Sequence, residues 1–106
     1  MKHSWHKMTA LQLGTCIANN SINPVELTEY FLERIKEHDN GHLIYVRSTA
    51  ERAYKEAEAA GTRAKAGITR SPLDGVPISW KDLYDTAGTL TEGGTPLLSG
   101  RRPTRD

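Results

Sequence analysis

Leu73-Asp74-Gly75-Val76-Pro77-Ile78-Ser79-Trp80-Lys81-Asp82 is the stretch on which the fold turns. Val76, Ile78 and Trp80 alternate with Pro77, Ser79 and Lys81, the period-two pattern of an extended strand with one apolar face. A strand is therefore expected over about 75–81. It ends on a lysine and an aspartate, and from Asp85 to Gly100 the chain is rich in Gly, Thr and Pro, with Gly93-Gly94 at the centre. That composition predicts an irregular loop over 85–106. A lysine closing an apolar strand raises a chemical question. Withdrawal from water disfavours an ammonium ion, and a neutral lysine is a base able to take a proton from a serine hydroxyl. The plainer alternative is a surface ion pair between Lys81 and Asp82 or Asp85. On these residues alone both stay open.

Upstream, the punctuation predicts helices. Thr9 with Gln12 has capping-box spacing, Leu11, Leu13, Gly14, Ile17 and Ala18 supply an apolar face, and Asn19-Asn20-Ser21 ends a first helix at about 9–18. Asn23 is an N-cap, Pro24 suits the first helical position and Glu26 completes a second box. Val25, Leu27, Phe31, Leu32 and Ile35 then make the buried stripe of a helix over 24–38. Gly41 is the expected left-handed residue beyond its end. Leu43-Ile44-Tyr45-Val46 is a short β-prone run. A third helix is expected over about 48–66, opened by a box between Ser48 and Glu51. Its alanines at 50, 53, 57, 60 and 64 form a small-residue seam that lets another helix approach closely. Alanine is weak at coiled-coil core positions, so this seam is expected to pack within the chain.

Composition removes several function classes. The chain has 106 residues, 37% of them hydrophobic, with only one Phe and two Trp, a lean supply for a self-sufficient core. Dependence on a further surface, the remainder of the protein or a second copy, is expected. Fourteen basic against thirteen acidic residues leave a net charge of +1, which gives no electrostatic reason to expect nucleic acid or an anionic membrane. The basic end, Arg101 to Arg105, lacks interleaved aromatics for base stacking and reads as a solvated terminus. Met8 to Ala18 is too polar, through Thr9, Gln12, Gly14 and Thr15, for the core of a signal peptide. Cys16 is the only cysteine, so no intrachain disulfide forms, and a reducing, cytoplasmic location is expected. Cys16 has no obvious basic neighbour to make it a nucleophile. His3 and His6 make two ligands and no site, so neither metal nor cofactor is expected.

The segment around Lys81 resembles the one that amidase signature enzymes carry around their catalytic lysine. Pro72-Leu73, Gly75, the triplet Val76-Pro77-Ile78 and the pair Lys81-Asp82 follow in the family's order. Thr86-Ala87-Gly88 and the run Thr91 to Thr95 are similar to its following threonine- and glycine-rich loop. The helix order upstream agrees, so the resemblance covers roughly Thr9 to Asp106. It implies an incomplete α/β architecture: N-terminal helices plus the first strands of an amidase signature fold, with 1–106 as the N-terminal part of a single domain. It also implies a Ser–cis-Ser–Lys mechanism on a small-molecule amide substrate, in which Lys81 is the catalytic lysine. The glutamine-hydrolysing component of tRNA-dependent amidotransferases, which releases ammonia from glutamine, shares every residue visible here.

Two departures qualify the match. Ser79 and Trp80 replace the small or aliphatic residues usual before the lysine. The family's glycine- and serine-rich signature is absent from these residues, so the chain alone is expected to be inert. A Ser79–Lys81 dyad would share a strand face, yet nothing supplies it with an oxyanion hole. The alternative from another class is a non-catalytic truncated assembly or binding module using the alanine seam.

Overall fold

A computed structural model of the chain describes residues 2–106, with side chains from Ser4 onward. The side chain of His3, half of the metal pair weighed above, lies outside the described residues. A 3-10 helix, Lys2–Lys7, precedes three α-helices: α1, Ala10–Ala18; α2, Pro24–His38; and α3, Ala50–Ala66.

Their starts follow from their caps. Thr9 Oγ1 accepts from the Gln12 N–H at 3.1 Å while Gln12 Oε1 accepts from the Thr9 N–H at 2.9 Å. Two orphan donors of the first turn are thereby satisfied. Asn23 Oδ1 accepts from the N–H groups of Val25 and Glu26 at the head of α2. The third start differs from expectation. α3 begins at Ala50, and its N-cap, Thr49, makes no side-chain capping bond. The Ser48–Glu51 box does not close; Glu51 pairs with Lys55 one turn along at 3.2 Å. Gly67 ends α3 with φ +71°, a left-handed turn that suits glycine.

The β-prone run forms a loop. Asp39, at the end of α2, is buried, and its carboxylate accepts from the N–H groups of Leu43 (2.8 Å), Ile44 (3.0 Å) and Tyr45 (2.7 Å). Donors gathered on one carboxylate cannot serve a ladder. The left-handed residue here is His42, φ 53°, and Gly41 is not. The bond from Tyr45, then those from Ile44 and Leu43, hold the Asp39 carboxyl below the usual range against the opposing effect of burial. Asp39→Ala is expected to raise amide hydrogen exchange at residues 43–45 by about tenfold or more, by loss of these acceptors. Unchanged exchange there would show that other contacts hold the loop.

The core gathers Leu13, Ile17, Ile22, Leu27, Ala57, Ala60 and Ala64. Trp5, Met8, Phe31 and Val76 pack partly buried around it. The alanine seam is used within the chain: α2 and α1 both lie against α3. The chain then runs from α3 back over α1, where Gly14 is buried beneath Pro72 and Leu73.

No strand forms among the described residues, so the strand expected over 75–81 is corrected to an unpaired strip. Turns bracket it, Val76 N–H to Leu73 C=O at 3.0 Å and Tyr84 N–H to Lys81 C=O at 3.1 Å. Among the described residues no backbone hydrogen bond joins 77–80 to another segment, and Pro77 has no N–H to offer. Alternation is a property of one segment, whereas a strand requires a second one alongside. The observed fold is therefore helical, with no strand in place of the expected α/β sheet. Residues 85–106 are irregular apart from a 3-10 turn, Pro96–Leu98. The Cα radius of gyration is 15.0 Å, above the roughly 13 Å of a close-packed chain of about 100 residues.

Candidate functional site

The segment leading to Lys81 is anchored at its start. Gly75 has φ +91°, and a Cβ there would meet the Ile17 side chain at 3.2 Å and the Ala60 Cβ at 3.3 Å. Only glycine brings this backbone so close to α1 and α3 without strain. Beside it, Arg63 of α3 grips Asp74 in a bidentate fork, Nε to Oδ2 at 2.8 Å and Nη2 to Oδ1 at 2.7 Å. The Arg70 N–H adds a third donor at 3.0 Å. The Asp74 side chain is only 8% exposed.

The Arg63 fork, aided by the Arg70 N–H and charge and opposed by burial, lowers the Asp74 carboxyl to about 2. A depressed carboxylate stabilises the fold in full above its ordinary value of 3.8, and that contribution is lost as pH falls through 2. Asp74→Asn is expected to cost about 1–2 kcal/mol at pH 6 after allowance for solvent screening. The gap from the parent chain, read from urea midpoints, should close between pH 4 and pH 2. A gap constant with pH would remove the ion pair as its cause.

Lys81 sits on a turn and is exposed. Its carbonyl accepts from the N–H groups of Leu83 at 2.7 Å and Tyr84 at 3.1 Å. The Trp80 and Tyr84 rings lie 5.8 Å apart across this turn. The plain alternative for Lys81, an ion pair with Asp82 or Asp85, does not form. Arg47 takes Asp82, with Nη1 2.9 Å from Oδ1. Arg101 takes Asp85 through both oxygens, at 2.7 and 2.9 Å. The Lys81 amine has no hydrogen bond or ion pair among the described residues.

Arginines also organise the loop beyond. Arg47 donates to the Leu90 carbonyl at 2.8 Å and to Glu92 Oε1 at 3.0 Å. Glu92 Oε2 accepts from the Gly100 N–H at 2.7 Å, and the Gly93 N–H donates to the Asp82 carbonyl at 2.8 Å. Arg52 of α3 holds Asp106 in a third fork. The basic end read as a solvated terminus is thus partly engaged, since Arg102 also donates to the Gly88 carbonyl.

A groove of about 840 Å³ runs between α3, at Thr49, Ala53 and Ala57, and the strip carrying Ile78, Trp80 and Tyr84. Lys81 does not line it. Of the apolar alternation, only Val76 packs on the core; Ile78 is 63% and Trp80 64% exposed. Ser79 makes no hydrogen bond to Lys81, so the two form no dyad. Cys16 is half-buried within α1. His6 contacts the Tyr30 hydroxyl through Nδ1. Burial, then the charges of Arg34, Lys7 and His38, lowers its proton affinity. Among the described residues no three metal-ligating side chains converge, and no helix is long and apolar enough to cross a membrane.

Sequence reasoning does not single out Arg47 or Arg63, and it reads Arg101 only as part of a solvated basic end, not as the partner of Asp85. Their only local signal is a long basic side chain, while their partners lie 35, 11 and 16 residues away. Asp74 and Asp82 are visible as motif positions, but their partners are not.

Residues 26–106 match the protein family described as Amidase. The chain is 39% identical over 93 residues to the A component of the glutamyl-tRNA(Gln) amidotransferase of Thioalkalivibrio sulfidiphilus, covering 88% of this chain and 19% of that protein. It is 38% identical over 98 residues to the component of the same name from Chloroflexus aggregans, covering 92% and 20%. The Thermobifida fusca counterpart is 34% identical over 94 residues, covering 89% and 19%. The chain thus spans about a fifth of the length of these curated relatives. No solved structure matches it.

Proposed function

The chain belongs to the amidase family, and on that premise we propose that it is the N-terminal segment of an amide-bond hydrolase domain to which it supplies the base, Lys81. The carrying observation is the state of the lysine within the family's motif. Both neighbouring carboxylates are taken by arginines, which leaves the amine unengaged at the end of its strip. An unpaired amine is available as a base once its surroundings withdraw it from water.

In this reading the remainder of the domain pairs with the strip over 75–81 as a strand and covers Ile78 and Trp80. It brings a bridging serine to the Lys81 amine. The amine accepts that serine's proton, and the bridging serine in turn takes the proton of a nucleophilic serine. The nucleophile's oxygen bonds to the amide carbon, and the C–N bond breaks as the departing nitrogen gains a proton. Water then cleaves the resulting ester to the acid. Residues 1–106 alone lack those serines and hydrolyse nothing. The single cysteine supports a reducing, cytoplasmic setting.

A second reading has support in the relatives, all three of which are named as the A component of a glutamyl-tRNA(Gln) amidotransferase. Under it the amide is glutamine and the domain works with partner subunits. The test is hydrolysis of glutamine and of simple carboxamides by the gene's full product, with and without Lys81, beside a homogeneous 1–106 chain. Ammonia from glutamine alone favours the amidotransferase reading, and release from varied carboxamides favours the amidase. Full activity without Lys81, or turnover by 1–106, overturns the assignment. An inactive product whose residues assemble through the α3 seam would establish the non-catalytic module.

A further inference from the structure

Among the described residues, Arg47 is the side chain that ties together the turn presenting Lys81 and the loop beyond it. It lies 35 residues before Asp82, in the loop between α2 and α3, and its side chain is 26% exposed. Its guanidinium spans Asp82 Oδ1, the Leu90 carbonyl and Glu92 Oε1, all within 3.0 Å. The side chains of Asp82 and Glu92 are themselves 24% and 25% exposed. A planar fork suits such a three-point clasp, and the ammonium of a lysine would not. Main-chain bonds continue it: Gly93 N–H to the Asp82 carbonyl, and Gly100 N–H to Glu92.

We infer that Arg47 is a positioning residue for Lys81, fastening the Lys81–Asp82 turn to the 90–100 loop and keeping the Asp82 carboxylate from claiming the Lys81 amine. The inference rests on Lys81 being the base. The electrostatics give it a sign. Lys81 and Asp82 are chain neighbours with Cα atoms about 3.8 Å apart, so a released Asp82 charge would lie close to the amine. That charge favours the protonated, unreactive ammonium. Arg47 offsets it at 2.9 Å, and Glu92 holds the guanidinium in place through its other nitrogen.

The test is acylation of lysines in the intact chain by a small amine-reactive anhydride near pH 8, read peptide by peptide by mass spectrometry. Only the free amine reacts. Lys36 of α2 and Lys65 of α3 are exposed and serve as references within the same molecule. Arg47→Gln is expected to slow Lys81 relative to those references by about two- to fivefold, the effect of one unscreened charge several ångströms away. Asp82→Asn retains the Arg47 bonds to Leu90 and Glu92 and removes the negative charge nearest the amine, so it is expected to speed Lys81 by a similar factor. The double variant should return to the parent rate.

Opposite signs for the single variants, cancelling in the double, are what a merely structural Arg47 cannot produce. If all three lysines change together in Arg47→Gln, that variant has loosened the fold and Asp82→Asn decides. An unchanged Lys81 rate in Asp82→Asn overturns the inference, as does a double variant as slow as Arg47→Gln. Labelling requires no turnover, so its outcome is separate from that of the activity assay.

Discussion

Gly14→Ala is expected to strip the chain of a large share of its stability, although alanine is the better helix former. Gly14 lies within α1 and is buried. A Cβ on it would stand 1.8 Å from the Pro72 carbonyl oxygen and 3.0 Å from its carbon. The obstacle is backbone, so no side-chain rotation removes it. Helix propensity favours alanine by about 1 kcal/mol, but overpacking a filled contact costs about 1–3 kcal/mol or more. Here α1 and the Pro72 loop must separate by over an ångström. That shift parts Ile17, fully buried, from Gly75, whose backbone lies against it and Ala60. A net loss of about 2–4 kcal/mol is expected, a large share of the roughly 5 kcal/mol available to a lean domain of this size. The urea midpoint of the helical circular dichroism signal should fall accordingly. A midpoint equal to or above the parent's would mean that α1 does not pack beneath Pro72.

The second large effect is chemical. Lys81→Met in the gene's full product is expected to lower kcat by about 1,000- to 10,000-fold, the range for losing a general base that acts as part of a unit. KM should move by only a few-fold, because in the proposed mechanism the lysine meets the reacting atoms and not the rest of the substrate. Lys81→Arg separates this role from a structural one. It preserves the positive charge and nearly the reach, yet a guanidinium does not give up its proton near neutral pH. Arginine is therefore expected to be as inactive as methionine. Recovery of even a tenth of the parent rate in Lys81→Arg would show that the charge matters and the base lies elsewhere.

Helix positions are legible where a cap and an apolar stripe agree. Thr9–Gln12 and Asn23–Pro24 declare their helices because capping is settled within a few residues. The third start misleads for the same local reason: Ser48 and Glu51 have box spacing, but Glu51 finds Lys55. The run Leu43–Val46 shows a different limit. β-branched and aromatic residues there match a strand, yet Asp39 holds the N–H groups that a ladder would need. Propensity describes the residues that carry it and says nothing of a competing acceptor outside the run.

The sequence by itself determined the family, the helix order and the place of Lys81 beside two aspartates, because each is written in short-range spacing. Tertiary structure alone decided what those aspartates do. Arg47 and Arg101 reach them from 35 and 16 residues away, and a charge pair over such distances leaves no periodic trace in a chain with many arginines. The same holds for the strip over 75–81. Its alternating residues describe one edge of a sheet, while pairing depends on a second segment alongside, and among the described residues none lies there. Gly14 joins the two levels: its position in an apolar helix face was plain, but only the packed fold brings Pro72 down upon it and makes the missing side chain a requirement.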